Sequence, residues 1–308
     1  MAGGRMPPSL AEGGPPVLLK PGTYAILSTP FTDDDRVDLP SLERLTRFYV
    51  EAGADGVVAL AVMGEGAKLL DAERDEVLKT VVETVGKKIP VIAGVSAPSV
   101  MQVRHHIDRA RQMGVNAVML APTAGTDPLK WYHAVSEAGL PMVLQDHPQS
   151  SQVQLTVPVI QAIIQAVPAI VAIKNEAPPT MVRTRQLRQA LPPSITILGG
   201  LGGVEIWGEL TAGADGTMTG FAFPELLTAI VGQFLRGNPE RARTLYEAGL
   251  PWLLLEAMPI YSLAIRKHIL WRRGIIASAR ARQPSPVLDP FLAQYVDDFV
   301  ERFKELRW

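Results

Sequence analysis

Apolar residues gather in short runs along this chain, and between the runs they recur at every third or fourth position among polar ones. The short runs predict strands and the longer spaced stretches predict helices. The strand candidates are 23–30 (TYAILSTP), 56–62 (GVVALAV), 90–95 (PVIAGV), 117–122 (AVMLAP), 141–147 (PMVLQDH), 170–176 (IVAIKNE), 194–200 (SITILGG) and 216–220 (GTMTG). A helical stretch follows each, as SLERLTRFYVEAG follows the first. Several runs are almost wholly apolar, as expected of parallel strands covered on both faces.

A weak repeat supports the same division. AGADG occurs at 52–56 and again at 212–216, and QMGVNAV at 112–118 echoes it. Each reads as a glycine ending a helix, a tight turn and the start of a strand. Eight repeated strand–helix units favour a (β/α)8 barrel over an open doubly wound sheet. No GxGxxG follows the first strand, which weakens the dinucleotide-binding alternative. The expected division is a flexible arm over 1–20, rich in Gly and Pro, a barrel over 21–236, and a C-terminal helical appendage over 237–308. Asp289 followed by Pro290 reads as the N-cap and first residue of the last helix.

Composition adds exclusions. The 308 residues are 47% hydrophobic and 20% charged, with a net charge of −1 and no cysteine. Near-zero charge gives no footprint for nucleic acid or an anionic membrane. Lack of cysteine excludes disulfides, thiolate metal sites and a cysteine nucleophile. No apolar run is long and unbroken enough for a membrane span or a signal peptide, so a cytoplasmic enzyme is the default. Histidines and carboxylates show no ligand-like spacing, and no metal is expected.

The candidate chemistry starts at Lys174, near the end of the sixth strand. Active sites of (β/α)8 barrels sit at the C-terminal ends of the strands. Alternation puts Ala172, Lys174 and Glu176 on one face and Val171, Ile173 and Asn175 on the other. The Lys/Glu face would then point into the barrel mouth. A partly desolvated amine there gives up its proton more readily and attacks a carbonyl better. On pattern alone, a strand-closing lysine paired with Glu176 fits equally well.

The motifs GTYAILSTPF (22–31), AVMGEGAKL (61–69), IPVIAGV (89–95), the fifth-strand segment ending in Pro148, and AIKNE (172–176) together resemble the dihydrodipicolinate synthase/N-acetylneuraminate lyase superfamily over about 20–300. The resemblance implies a (β/α)8 barrel with a C-terminal helical region. It also implies an imine between the strand-six lysine, here Lys174, and a 2-keto acid, with no other cofactor. Departures are informative. Gln145 stands where a strand-five tyrosine is usual, Val62 and Met63 replace two hydroxyls, Ala124 replaces an interface tyrosine, and Ser150 replaces an arginine. Gln145-Asp146-His147-Pro148, Lys174-Asn175-Glu176, GTMTGFAFPE (216–225) and GIIASARARQPSPVLDP (274–290) are similar to the 2-keto-3-deoxyarabonate dehydratase-like branch.

These residues give a set of expectations. The activity is a Schiff-base dehydratase of a 2-keto-3-deoxy sugar acid. The alternatives are a pyruvate-dependent aldolase or synthase-like condensing enzyme, and a non-catalytic barrel that binds 2-keto acids. Lys174 captures the keto carbon, Glu176 moves protons in place of the tyrosine, and Gln145 orients substrate or water. Backbone amides of Met63, Gly64 and Glu65 hold the substrate carboxylate. His147, Gly200, Thr219 and Gly220 line the substrate site. The basic positions Arg266, Lys267, Arg272, Arg273, Arg280 and Arg282 are expected on a solvated or subunit-facing helix surface. The resemblance further implies a small-molecule partner and a homo-oligomer, a dimer or tetramer.

Overall fold

The computed structural model describes residues 19–305. Eight parallel strands close a barrel in sequence order: β1 (Gly22–Ile26), β2 (Gly56–Ala59), β3 (Val91–Gly94), β4 (Ala117–Leu120), β5 (Met142–Asp146), β6 (Ile170–Asn175), β7 (Thr196–Gly199) and β8 (Gly216–Thr219). Each lies inside one predicted run or reaches one residue beyond it. The closing pair is β1 with β8, in register from Gly22 opposite Gly216 to Ala25 opposite Thr219. The expected (β/α)8 architecture is therefore the observed one.

The barrel has two cores. Side chains on the inner strand faces, among them Tyr24, Ile26, Val58, Met119 and Leu198, form one buried cluster. The outer faces and the surrounding helices form a larger one. Of the arm expected over 1–20, residues 1–18 lie outside the described residues. Leu19 is buried in the inner cluster, and its carbonyl accepts a bond from the Thr196 hydroxyl.

The repeat has a physical meaning. Asp55 and Asp215 in the AGADG motifs, and Asn116 in the third copy, each lie just ahead of a strand. Their side chains accept the N–H of Thr23, Ile197 and Val91 respectively, each at 2.8 Å. Each one satisfies a donor at the start of the preceding strand, which a parallel ladder leaves open. Gly53, Gly114 and Gly213 turn the chain at these points with positive φ, where L side chains are disfavoured.

Three further helices follow the barrel: Pro239–Glu256, Ser262–Arg272 and Pro290–Phe303. The Asp289 side chain caps the last by accepting from Leu292 N at 2.9 Å. The expectation of a solvated basic face is corrected here for its first two residues. Arg266 and Lys267 are fully buried. Lys267 lies 2.5 Å from Glu65, on the loop after β2, and Arg266 lies 3.2 Å from Glu256. Neither partner is a near neighbour in sequence, so a pattern of basic residues alone could not show the burial. Among the described residues, no helix is long and apolar enough to cross a membrane.

Candidate active site

Strand pairing sets Gln145 of β5 directly beside Lys174 of β6. Both point inward, because Val143 and Ala172, two residues earlier on each strand, belong to the inner cluster. The opposite face is occupied as alternation requires. Leu144 and Ile173 join the outer core, the Asn175 amide donates to Thr180 O and Thr184 Oγ1 at 3.0 Å each, and Asp146 pairs with Arg183 at 2.7 Å. Val171 departs from the expected outward face. The ladder shifts between Met142 and Val143, so Ile170 and Ala172 face consecutive residues of β5. Val171 is the extra residue of this bulge, and it packs in the inner cluster.

Three polar side chains meet at the end of β6. Lys174 Nζ lies 2.9 Å from Glu176 Oε1, and Gln145 Nε2 donates to Glu176 Oε2 at 2.8 Å. Lys174 is 3% exposed and Glu176 6%. Burial alone would push the Glu176 carboxyl upward. The charges of Lys174 and His147 and the bonds from Gln145 and Lys174 outweigh it and hold the group below the usual carboxylate range. Glu176 is thus ionised at rest. A single proton transfer within the pair would give the neutral amine that carbonyl addition requires.

The Gly-rich turn after β7 makes room for this pair. Gly200 has a negative φ (−136°), and a Cβ there would overlap Glu176 Cγ. Close approach of Glu176 leaves no room for a side chain at this position. Two of the turn's amides are committed, Gly203 N to Gly200 O at 3.0 Å and Gly202 N to Thr219 Oγ1 at 2.9 Å. Thr219 therefore joins β8 to the turn. Gly220 leaves space for the Arg266 guanidinium, whose Nη1 is buried without a hydrogen-bond partner.

The loop after β2 differs from the expectation that three amides hold a carboxylate. Gly64 N bonds to Ala61 O at 2.9 Å and Glu65 N to Val62 O at 3.0 Å. Of the trio, Met63 alone keeps an uncommitted N–H, and its side chain packs against the inner cluster. Both Glu65 oxygens are engaged: Oε2 with Lys267, and Oε1 with Lys68 at 3.2 Å and Arg282 N at 3.0 Å. Burial pulls the Lys267 ammonium down to about 8, against the opposing pull of Glu65. A cavity of about 220 Å3 lies beside Gln145, with Ala61, Glu65, Ser96 and Met119 in its wall.

His147 caps the short helix Pro148–Ser151 through Nδ1, which bonds Ser150 Oγ and accepts from Ser150 N. It lies near enough for its charge to act on Glu176. His105 and His106 both approach Asp71. Among the described residues, no group of three or more His, Cys, Asp or Glu could hold a metal ion.

One carboxyl at the site was not foreseen. Glu209, on the helix Ile206–Thr211, is 1% exposed. Burial raises it to about 8, with the nearby Glu205 and Glu176 adding to the rise while Thr180 and the Gly200 N–H oppose it. A signal existed in the strand-adjacent glycines, since a Cβ on Gly199 would overlap Glu209 Oε2. The sequence shows the glycines but not what fills their space.

A family model described as the dihydrodipicolinate synthetase family matches residues 20–298. An L-2-keto-3-deoxyarabonate dehydratase of Azospirillum brasilense is 29% identical over 279 residues, covering 87% of this chain and 90% of the relative. A 4-hydroxy-tetrahydrodipicolinate synthase of Methanosarcina mazei is 30% identical over 250 residues, 78% of this chain and 84% of that one. The crystal structure of a dihydrodipicolinate synthase from Rhodopseudomonas palustris superposes with a TM-score of 0.86 at 34% identity, covering 91% of this chain and 97% of the other.

Proposed function

The chain belongs to the dihydrodipicolinate synthetase family, and on that premise we propose that it dehydrates a 2-keto-3-deoxy sugar acid through an imine on Lys174. Enzymes of this family are lyases and aldolases that act on small keto acids through a lysine Schiff base, without a metal. The observation that carries the proposal is the contact of Glu176 with both Lys174 and Gln145, at a mouth where Gln145 replaces a phenol. The likeness to a keto-deoxyarabonate dehydratase, over 87% of this chain, points the same way.

Chemically, the ammonium of Lys174 first passes a proton to Glu176. The free amine then adds to the C2 carbonyl, and water leaves to give an iminium. Glu176, again a carboxylate, removes a C3 proton, and the iminium takes up the electron pair as an enamine. The enamine expels the C4 hydroxyl, which leaves as water with the proton that Glu176 returns. Loss of a C5 proton from the resulting unsaturated iminium, reprotonation at C3 and ketonisation of the C5 enol give the aldehyde, and hydrolysis of the imine releases it and restores Lys174. Gln145 cannot titrate, so its part is to hold the Glu176 carboxylate in line. The Met63 N–H and His147 are placed in this reading to receive the substrate's polar ends.

The synthase-named relatives favour a second reading, in which the same imine serves carbon–carbon bond cleavage or formation. The two part at C4, where a dehydratase expels the hydroxyl and an aldolase deprotonates it. Incubation with 2-keto-3-deoxyarabonate followed by product analysis separates them. The expected product is the semialdehyde of 2-oxoglutarate, and pyruvate plus an aldehyde would contradict dehydration. Family members are typically oligomers, and a homo-oligomer is proposed on that basis, to be checked by sedimentation.

A further inference from the structure

Two carboxyl groups lie on opposite faces of one glycine pair. A side chain on Gly199 would collide with Glu209, and one on Gly200 with Glu176. Gly199 is the last residue of β7 and Gly200 the next, so a two-residue ribbon of backbone separates the buried acids. Their settings are opposite. Glu176 has Lys174 at 2.9 Å and a bond from Gln145. Glu209 has no ion-pair partner among the described residues, and its Oε2 has no hydrogen bond. The titratable groups around Glu209 are Glu205 from the preceding turn, Glu176 from the end of β6, and Tyr246 from the helix Pro239–Glu256. Thr180, from the helix Thr180–Ala190, hydrogen-bonds to Glu205 at 2.7 Å. Among the described residues, no cation pairs with Glu209 directly.

A carboxylate in such a place would be an uncompensated buried anion, so the group keeps its proton. We propose that Glu209 is a positioning residue of the imine-forming pair: while neutral it lets Glu176 carry the only negative charge against Lys174, and its ionisation closes the site. This rests on Lys174 and Glu176 acting as described under the proposed function. A second anion behind the glycine ribbon favours the ammonium form of Lys174 and the protonated form of Glu176. An ammonium cannot add to a carbonyl, and a Glu176 that is already protonated cannot take the ammonium's proton. The consequence is unusual for a lysine nucleophile, which gains free amine and speed as pH rises.

The test is the rate of borohydride-trapped imine formation with pyruvate from pH 6 to 10, for the wild type, Glu209→Gln and Glu209→Asp. The glutamine is isosteric with the protonated acid. The wild-type rate should turn down near pH 8. Glu209→Gln should match the wild type below pH 7 and hold its rate at least one pH unit further into alkali. Glu209→Asp should restore a downturn. An infrared carboxyl titration, present in the wild type and lost in Glu209→Gln, supplies an assignment independent of chemistry. An unchanged downturn in Glu209→Gln overturns the role, as does an equal loss of rate at every pH. If the wild type forms no imine at any pH while the infrared titration persists, it is the Lys174 reaction that fails, and this role falls with it.

Discussion

Replacing Glu176 by glutamine separates the two jobs assigned to that residue. The change keeps size and shape and removes one charge 2.9 Å from Lys174 Nζ. At an effective dielectric of about 20, the lost attraction is about 6 kcal/mol, an order-of-magnitude ceiling. Losing that attraction makes the ammonium less favourable relative to the free amine in the variant. A buried ammonium without a partner is itself costly, which pushes in the same direction. The new amide can still accept from Gln145 and donate to a neutral amine. Imine formation at pH 7 should therefore match or exceed the wild-type rate, measured by borohydride trapping with pyruvate. Turnover of a keto-deoxy acid should fall by about 10²–10⁴, the usual worth of a general acid–base. The refuting results are a trapping rate that falls in step with turnover, or turnover that does not fall.

Gly200→Ala should force Glu176 aside, because the added Cβ overlaps its side chain. A loss in kcat of about 10² is expected for a misplaced group, and a variant with wild-type kcat would show that the ribbon does not set Glu176. Glu65→Ala leaves Lys267 buried and unpaired, at a cost of about 3–5 kcal/mol in urea unfolding; a change under about 1 kcal/mol would refute the clamp between the C-terminal helices and the β2 loop. Glu209, raised from 4.5 to about 8 in the fold, binds more protons folded than unfolded between those values. Its contribution to stability is thus present below pH 4.5 and lost as pH rises through about 8, by at most about 1.4 kcal/mol per unit. Glu209→Gln should flatten that slope, and thermal unfolding of both proteins from pH 5 to 9 would reveal parallel curves if it does not.

All eight strands were legible because each is buried on both sides, and such strands read as apolar runs. Their ends were less so. The chain past Ile26 stays buried through Ser28 and Thr29, so its pattern continues although the strand stops. Alternation placed Lys174 and Glu176 on one face correctly in pattern, and failed at Val171, where a bulge adds a residue that no hydrophobic pattern records. The AGADG repeat was visible, but its reason, a carboxylate closing an open N–H of the previous strand, needed the fold. Arg266, Lys267 and Glu209 were hidden for a common reason. Each looks like a charged helix residue, and its burial depends on a space or a partner supplied elsewhere in the chain. The β2 loop was misjudged because a tight turn consumes its own amides, and composition cannot show which N–H groups remain free.

The most direct measurement is reduction with borohydride in the presence of a 2-keto-3-deoxy acid, followed by peptide mass mapping. One adduct, on the peptide that carries Lys174 and absent from Lys174→Ala, is the expected result. No adduct with any 2-keto acid, or an adduct on another lysine such as the buried Lys267, would contradict the imine mechanism at its root.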